Sequence, residues 1–428
     1  MKTINIDSLA RVEGEGALRI RFTRDRVRDV ELRIFEPPRF FEAFLRGRSY
    51  AETPDITARI CGICPVAYQM SACQAIEDAF GVEVDVGIRE LRRLIYWGEW
   101  IESHVLHMFL LHAPDFLGLP DALEMAKEHR EMVTLALRLK KVGNAIIRTV
   151  GGREVHPINV RVGGFYRAPT SAELNALIPE LVEARDGASR ALEWMARLPF
   201  PDFARDYEFV ALRHPSEYAV LGERLVSNKG LDVEVREYDR NFAERQVPYS
   251  NALHSFVKGR GPYVCGPLAR FNLNFENLAP LAKQAAISAR IPIPCNNPFM
   301  SILVRGVEVI HAFDESIRII EAYQPPARPF VEVTPRESIG FGCSEAPRGL
   351  LYHRYRLSET GLIEDAKIVP PTAQNQKSIE QDLFELAPRM MQLSHEAATL
   401  MAEQAIRNYD PCISCATHFI RLTVEREP

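Results

Sequence analysis

Cys61-Gly62-Ile63-Cys64, near one end of the chain, and Cys412-Ile413-Ser414-Cys415, near the other, repeat a single spacing of thiols. Their surroundings read Arg59-Ile60-Cys61-Gly62-Ile63-Cys64-Pro65 and Asp410-Pro411-Cys412-Ile413-Ser414-Cys415-Ala416-Thr417-His418. Four thiolates drawn together make a soft, electron-rich site suited to a transition metal. One Cys-x-x-Cys pair also serves as a redox dithiol, and two pairs as a structural zinc tetrahedron. Structural zinc pairs usually lie ~12 to 20 residues apart within one knuckle. These pairs come from opposite ends of a 428-residue chain, and Arg59, Asp410 and His418 beside them fit a reactive centre better than a staple.

Outward from the cysteines, residues 66–72 open a helix expected to run to Gly81. On the other side a long helical pattern over residues 377–408 is ended by Pro411, which cannot continue a helix and biases Asp410 towards an extended conformation. Both pairs therefore fall at helix ends, where backbone N–H groups are free and thiols are less confined. Apolar residues recurring every three or four positions predict further long helices near 89–112, 122–149, 171–197, 276–291 and 298–323. Alternating residues 17–22 and 30–34 predict a hairpin, and short strands are expected near 207–213, 262–268, 330–334, 350–358 and 362–369. With no internal repeat and no low-complexity linker, the expectation is an α+β, mainly helical fold: a core of long helices with small peripheral β-sheets, in one domain spanning residues 1–428.

Composition bounds the function without choosing it. Hydrophobic residues make up 46% of the chain, enough for a sizeable core. The net charge is −5 and no block of Lys or Arg stands out, so nucleic acid and a membrane surface are not expected partners. Residues 1–7 lack the apolar run of a signal peptide, and no stretch approaches the ~20 apolar residues needed to span a bilayer; a cytoplasmic location is expected. Of the eight cysteines, Cys73, Cys265, Cys295 and Cys343 read as buried small apolar residues.

The two cysteine stretches resemble the first and last signatures of the large, catalytic subunit of nickel-iron hydrogenases. The resemblance continues through Arg11-Val12-Glu13-Gly14, Phe40-Phe41-Glu42, Gly266-Pro267-Leu268-Ala269-Arg270, Glu345-Ala346-Pro347-Arg348-Gly349 and Pro371-Thr372-Ala373-Gln374-Asn375. The short length and Gly151-Gly152-Arg153-Glu154-Val155-His156-Pro157 look most like the cytoplasmic, NAD(P)-linked multisubunit members, including the sulfhydrogenases. The resemblance implies that family's large-subunit fold and reversible heterolytic cleavage of H2, with Cys61 and Cys412 as terminal nickel ligands. It implies Cys64 and Cys415 as bridges to an iron carrying carbon monoxide and two cyanides. H2 is a very weak acid, so its cleavage needs a metal to accept the hydride and an adjacent base to take the proton. The resemblance points to Cys412 for the base and to Glu13 as the next carboxyl in the relay, which is chemically apt. It further places Arg348, Asp115, Pro371 and Thr372 around the iron; a guanidinium and a hydroxyl are suitable donors to cyanide nitrogens. Glu42 and His418 are the implied ligands of a magnesium or other divalent ion, for which the carboxylate is the chemically expected partner.

Two departures stand out. Tyr68 occupies the position where most of the family carries histidine, and a phenol donates a hydrogen bond without carrying positive charge near neutral pH. Residues Phe419 to Pro428 follow His418, and in the family a dedicated endopeptidase removes such a tail once nickel is loaded; the mature chain is expected to end at His418. No Gly-x-Gly-x-x-Gly fingerprint and no third cysteine cluster is present, so electrons must leave through partners. The resemblance implies an iron-sulfur small subunit, with flavin (FAD) and NAD(P) held in diaphorase subunits beyond it. Two rival readings are a structural four-cysteine zinc scaffold and the related quinone-site subunit of respiratory complex I, which lacks the four cysteines.

Overall fold

In the computed structural model, residues 3–23, 26–36 and 40–417 are described. Helices Pro65–Phe80, Val86–Val105, Arg130–Gly151, Ile178–Met195, Ser301–Glu321 and Pro371–Met390 form the core, with five two- or three-stranded sheets among the described residues. Pro65 opens the helix after the first cysteine pair and Gly81 closes it in a left-handed C-cap, as the sequence predicts. The Val86–Val105 helix starts at Asp85, whose carboxylate accepts from Ile88 N, and runs on into a π-helical turn, Leu106–His112. It crosses Arg130–Gly151 at Gly98 and Gly143. A Cβ on either glycine would lie 2.9–3.0 Å from the other's carbonyl oxygen, so the two backbones touch.

The N-terminal hairpin, Gly16–Thr23 with Arg26–Ile34, gains a third antiparallel strand, Thr3–Ile6. A second antiparallel sheet, Ser338–Ala346, Gly349–Leu357 and Ile363–Val369, lies against the Pro65–Phe80 helix and is largely buried. The first of its strands was not expected, because Gly340 and Gly342 interrupt its apolar pattern. They are what the packing requires: a Cβ at Gly340 would meet Ala75 O at 1.9 Å, and one at Gly342 would meet Ser71 O at 2.4 Å.

Several expectations are corrected. Residues 262–268 form a single bridge, Val264 to Phe209, before Pro267 starts the helix Pro267–Asn274, and 330–334 form only a bridge at Phe330. Three predicted helices are each broken in two: Ala122–Glu128 and Arg130–Gly151, Ser171–Asn175 and Ile178–Met195, Pro371–Met390 and His395–Arg407. The Thr170–Glu173 capping box fixes the predicted start at Ser171, and a local cap makes the new start at His395, where the Ser394 hydroxyl accepts from Ala397 N. Among the described residues no helix is long and apolar enough to cross a membrane.

Candidate metal centre

The first pair precedes a buried helix. Cys64 is the N-cap of Pro65–Phe80, and the Cys61 sulfur accepts from the backbone N–H of Ile63 (3.3 Å) and Cys64 (3.2 Å). The second pair sits on a helix of four residues, Ile413–Ala416, with Cys412 as N-cap. Such a helix cannot hold itself, and its polar groups are tied to distant segments. Cys412 N donates to Thr372 Oγ1 (2.9 Å), Ile413 N to the Glu13 carbonyl (2.9 Å), and Ser414 N to Glu13 Oε2 (3.1 Å).

Folding brings the pairs together. The sulfurs of Cys61 and Cys412 are 3.7 Å apart, and those of Cys61, Cys412 and Cys415 all lie within 4.8 Å of one another. Cys64 interacts with the same three thiols. All four are buried. The thiol hydrogen bond from Cys412 holds Cys61 well below the usual thiol range, whereas burial pushes Cys412 well above it. Four crowded thiols in a dry site share their protons unequally, and a cation that displaces them relieves the crowding.

Glu13 approaches this cluster from the N-terminal region: its Oε2 accepts from the Cys412 sulfur at 3.0 Å. It is half-buried, and the Ser414 hydroxyl beyond it donates to Glu36 Oε1 (3.2 Å), so polar groups continue outward from the sulfur.

Arg348 is buried over the thiols. Its Nε donates to the Asp410 carbonyl (2.7 Å) and one Nη to Asp410 Oδ1 (3.1 Å), while Nη1 has no partner among the described residues. Burial opposes its charge, but Asp410 and the neighbouring thiols hold its pKa well above the usual value. Asp410 adopts φ +48°, left-handed and not extended as expected; a positive φ suits Asp better than most residues, and Arg348 grips both its carbonyl and its carboxylate. The loop carrying Arg348 is itself held by Arg270, a fully buried guanidinium between Glu308 (2.8 Å, two bonds) and Glu345 (3.0 Å) that also donates to the carbonyls of Ala346 and Pro347. Burial pushes Glu345 up to about 7, whereas Arg270 overrides burial and holds Glu308 well below the carboxylate range.

The remaining predicted residues divide. Thr372 supports Cys412, and the Pro371 carbonyl faces the Cys265 thiol at 3.8 Å. Asp115 spends its carboxylate on Arg407 (2.7 and 2.8 Å) and Arg11, bracing the N-terminal segment against the Asp410 side of the site. Glu42 Oε1 accepts from Ile368 N (2.7 Å), and Glu42 lines an opening shared with Cys415, Ala416 and Thr417. His418 and the tail after it lie outside the described residues. Tyr68 is buried beside the thiols, with a hydroxyl that has no partner among the described residues; burial pushes its pKa well up, so it stays a neutral donor. Cys73, Cys265, Cys295 and Cys343 are buried, as expected.

Sequence reasoning did not single out Asp410, Glu99, Glu308 or Glu345 as site residues. Asp410 had one visible signal, its place before Pro411 and Cys412. Glu345 opens the stretch 345–349 quoted above without a role of its own, Glu99 and Glu308 sit inside apolar helices, and Arg270, which pairs with Glu308 and Glu345, is remote in sequence.

Comparison with known proteins agrees with this geometry. The sequence profile of the family described as nickel-dependent hydrogenase matches residues 39–142 and 305–418. The alpha subunit of sulfhydrogenase 2 from Pyrococcus furiosus is 36% identical over 98% of this chain and 100% of its own length. The alpha subunit of sulfhydrogenase 1 from the same organism is 33% identical over 98% of each. A crystal structure of an NAD+-reducing [NiFe]-hydrogenase in its H2-reduced state superposes with a TM-score of 0.89 at 27% identity, covering 98% of this chain and 100% of that one. A [NiFeSe]-hydrogenase from Desulfomicrobium baculatum, at 21% identity and TM-score 0.77, shares the fold over 97% of this chain. The chain belongs to the nickel-dependent hydrogenase family, a hydrogenase large subunit built to cleave H2 at a nickel-iron centre.

Proposed function

We propose that Cys61, Cys64, Cys412 and Cys415 would hold the nickel, that Cys64 and Cys415 would also help hold the iron, and that the enzyme passes electrons through iron-sulfur and flavin partner subunits to NAD(P). The observation that carries the metal assignment is the meeting of thiols from both ends of the chain within 4.8 Å, with Glu13 3.0 Å from one of them. The donors present suit a nickel-iron group carrying carbon monoxide and cyanide. Four buried sulfurs offer soft ligation, and two buried donors without partners among the described residues, Arg348 Nη1 and the Tyr68 hydroxyl, stand beside them. When bound, that group supplies the electron-rich acceptor for the hydride half of H2.

The chain's own residues handle the proton. Cys412 Sγ receives it, and Glu13 Oε2, already hydrogen-bonded to that sulfur and oriented by Ser414 N, takes it onward. Arg348 and Thr372 supply donors towards cyanide nitrogens, with Pro371 shaping the wall, and the Asp115–Arg407–Arg11 cluster braces that wall from behind. Glu42 and His418 are the proposed ligands of a magnesium ion, which would join the N-terminal region to the chain's end. A maturation endopeptidase is proposed to cut after His418, in keeping with the family match ending at residue 418. One domain spanning residues 1–428 before that cut and a cytoplasmic location complete the reading; NAD(P) as acceptor leans on the likeness to an NAD+-reducing enzyme.

Infrared absorption of the assembled complex in the window of metal-bound carbon monoxide and cyanide, with metal analysis, tests the proposal. Bands together with nickel and iron support it. Zinc without bands would replace it with a structural four-cysteine site.

A further inference from the structure

The helix Pro65–Phe80 begins at Cys64, yet Cys64 provides no side-chain cap. A helix start leaves its first N–H groups without partners, and Pro65 removes only its own. The next two are taken by a side chain from another helix: Val66 N donates to Glu99 Oε2 (2.6 Å) and Ala67 N to Glu99 Oε1 (3.0 Å). Glu99 is fully buried, and among the described residues no Lys or Arg lies within ion-pair distance of it. Burying a lone carboxylate is expensive, and burial pushes its pKa well up. A local Ser or Asp would cap the helix at far lower cost. What Glu99 adds is a tie between two elements. Its own helix is fixed by the Gly98–Gly143 backbone contact one residue away, so Glu99 transfers that rigidity to the first turn after Cys64. The same turn fixes Cys64 N, which donates to the Cys61 sulfur at 3.2 Å.

We infer that Glu99 is a positioning residue of the metal centre, clamping Val66 and Ala67 so that Cys61 and Cys64 are held in ligand geometry. The inference rests on the assignment of those two cysteines as metal ligands. Two variants of the complete complex separate geometry from charge. Glu99→Gln keeps the length but only one accepting oxygen, its NH2 facing the second backbone N–H, and is expected to lose nickel by a few-fold, clearly less than Glu99→Asp. Glu99→Asp keeps the charge but falls a methylene short of both N–H groups. It is expected to lose nickel by ~10-fold or more, the usual effect of removing a group that orients a ligand, with shifted or broadened carbon monoxide and cyanide bands in what remains. Amide hydrogen exchange over residues 61–67 should be slow in the parent, intermediate in Glu99→Gln and fast in Glu99→Asp. Full nickel and unshifted bands in Glu99→Asp would overturn the inference even if melting temperature fell, and so would nickel loss in Glu99→Gln equal to that in Glu99→Asp. Absence of bands in the parent would instead fault the metal assignment, with the exchange data still reporting whether the clamp exists.

Discussion

The two halves of the thiol cluster are built in opposite ways. Cys61 and Cys64 stand at the head of a sixteen-residue helix buried against the Ser338–Ala346 strand and tied to the Val86–Val105 helix by Glu99. Cys412 and Cys415 ride on a four-residue helix that is buried, with Ile413 pressed against Gly14 and Gly16, but is too short to hold itself and is tied to Glu13, Thr372 and the Arg348–Asp410 pair. One half is set by a long helix buried between a strand and a neighbouring helix. The other exists only when three remote segments have closed around it. The difference teaches which half supplies rigidity and which supplies most of the chemistry: Glu13, Arg348 and the Thr372 hydroxyl reach the site through the second half, and the packed half adds the Tyr68 hydroxyl.

That contrast can be broken experimentally, most severely at the sulfurs. Cys412→Ser and Cys64→Ser should both abolish nickel retention and reduce H2 uptake below detection, read by metal analysis and dye-linked uptake. Retained nickel in either would show that one half suffices. Glu13→Gln belongs to the second half and should spare the metal while slowing turnover by ~10²–10⁴-fold, the range for a lost general acid-base group. Proton exchange between H2 and D2O should slow in parallel. Nickel loss in this variant would mean that Glu13 holds the fold of the site and not its proton.

Arg348→Leu leaves Asp410 buried without its cation and should cost ~3–5 kcal/mol in denaturant unfolding, with part recovered in Arg348→Leu/Asp410→Asn. The smallest effect concerns the packed half. His353, whose ring lies 5.8 Å from that of Tyr68, is held by burial at about 3, well below the ordinary histidine value of 6.5. The folded chain therefore excludes a proton that the unfolded chain binds. Stability from this source is complete above pH 6.5 and is lost as pH falls towards 3. Between pH 6.5 and 5 a His353→Phe chain should lose about 2 kcal/mol less than the parent; equal losses would show that His353 is not the titrating group.

Much of this was legible beforehand. Pro65, the apolar run behind it and Gly81 define the Pro65–Phe80 helix, and the repeated thiol spacing marks both halves of the cluster. The second half was read less well, for physical reasons. Asp410 was expected to be extended because Pro411 follows it, and a tertiary grip from Arg348 overrides that local preference. Strand Ser338–Ala346 was not expected because Gly340 and Gly342 interrupt its apolar pattern, and the cause of their presence is a helix backbone pressed on the sheet. Glu99, Glu308 and Glu345 were invisible as a set: a buried carboxylate declares its role only through the donors around it, and those come from elsewhere in the chain.

Nickel-edge X-ray absorption on the purified, assembled enzyme tests the convergence of the two halves most directly. The account predicts a nickel ion whose sulfur neighbours number four, and a loss from that shell in any preparation that retains nickel after Cys61→Ser. Nickel surrounded by nitrogen and oxygen alone, or a cluster occupied only by zinc, would contradict it.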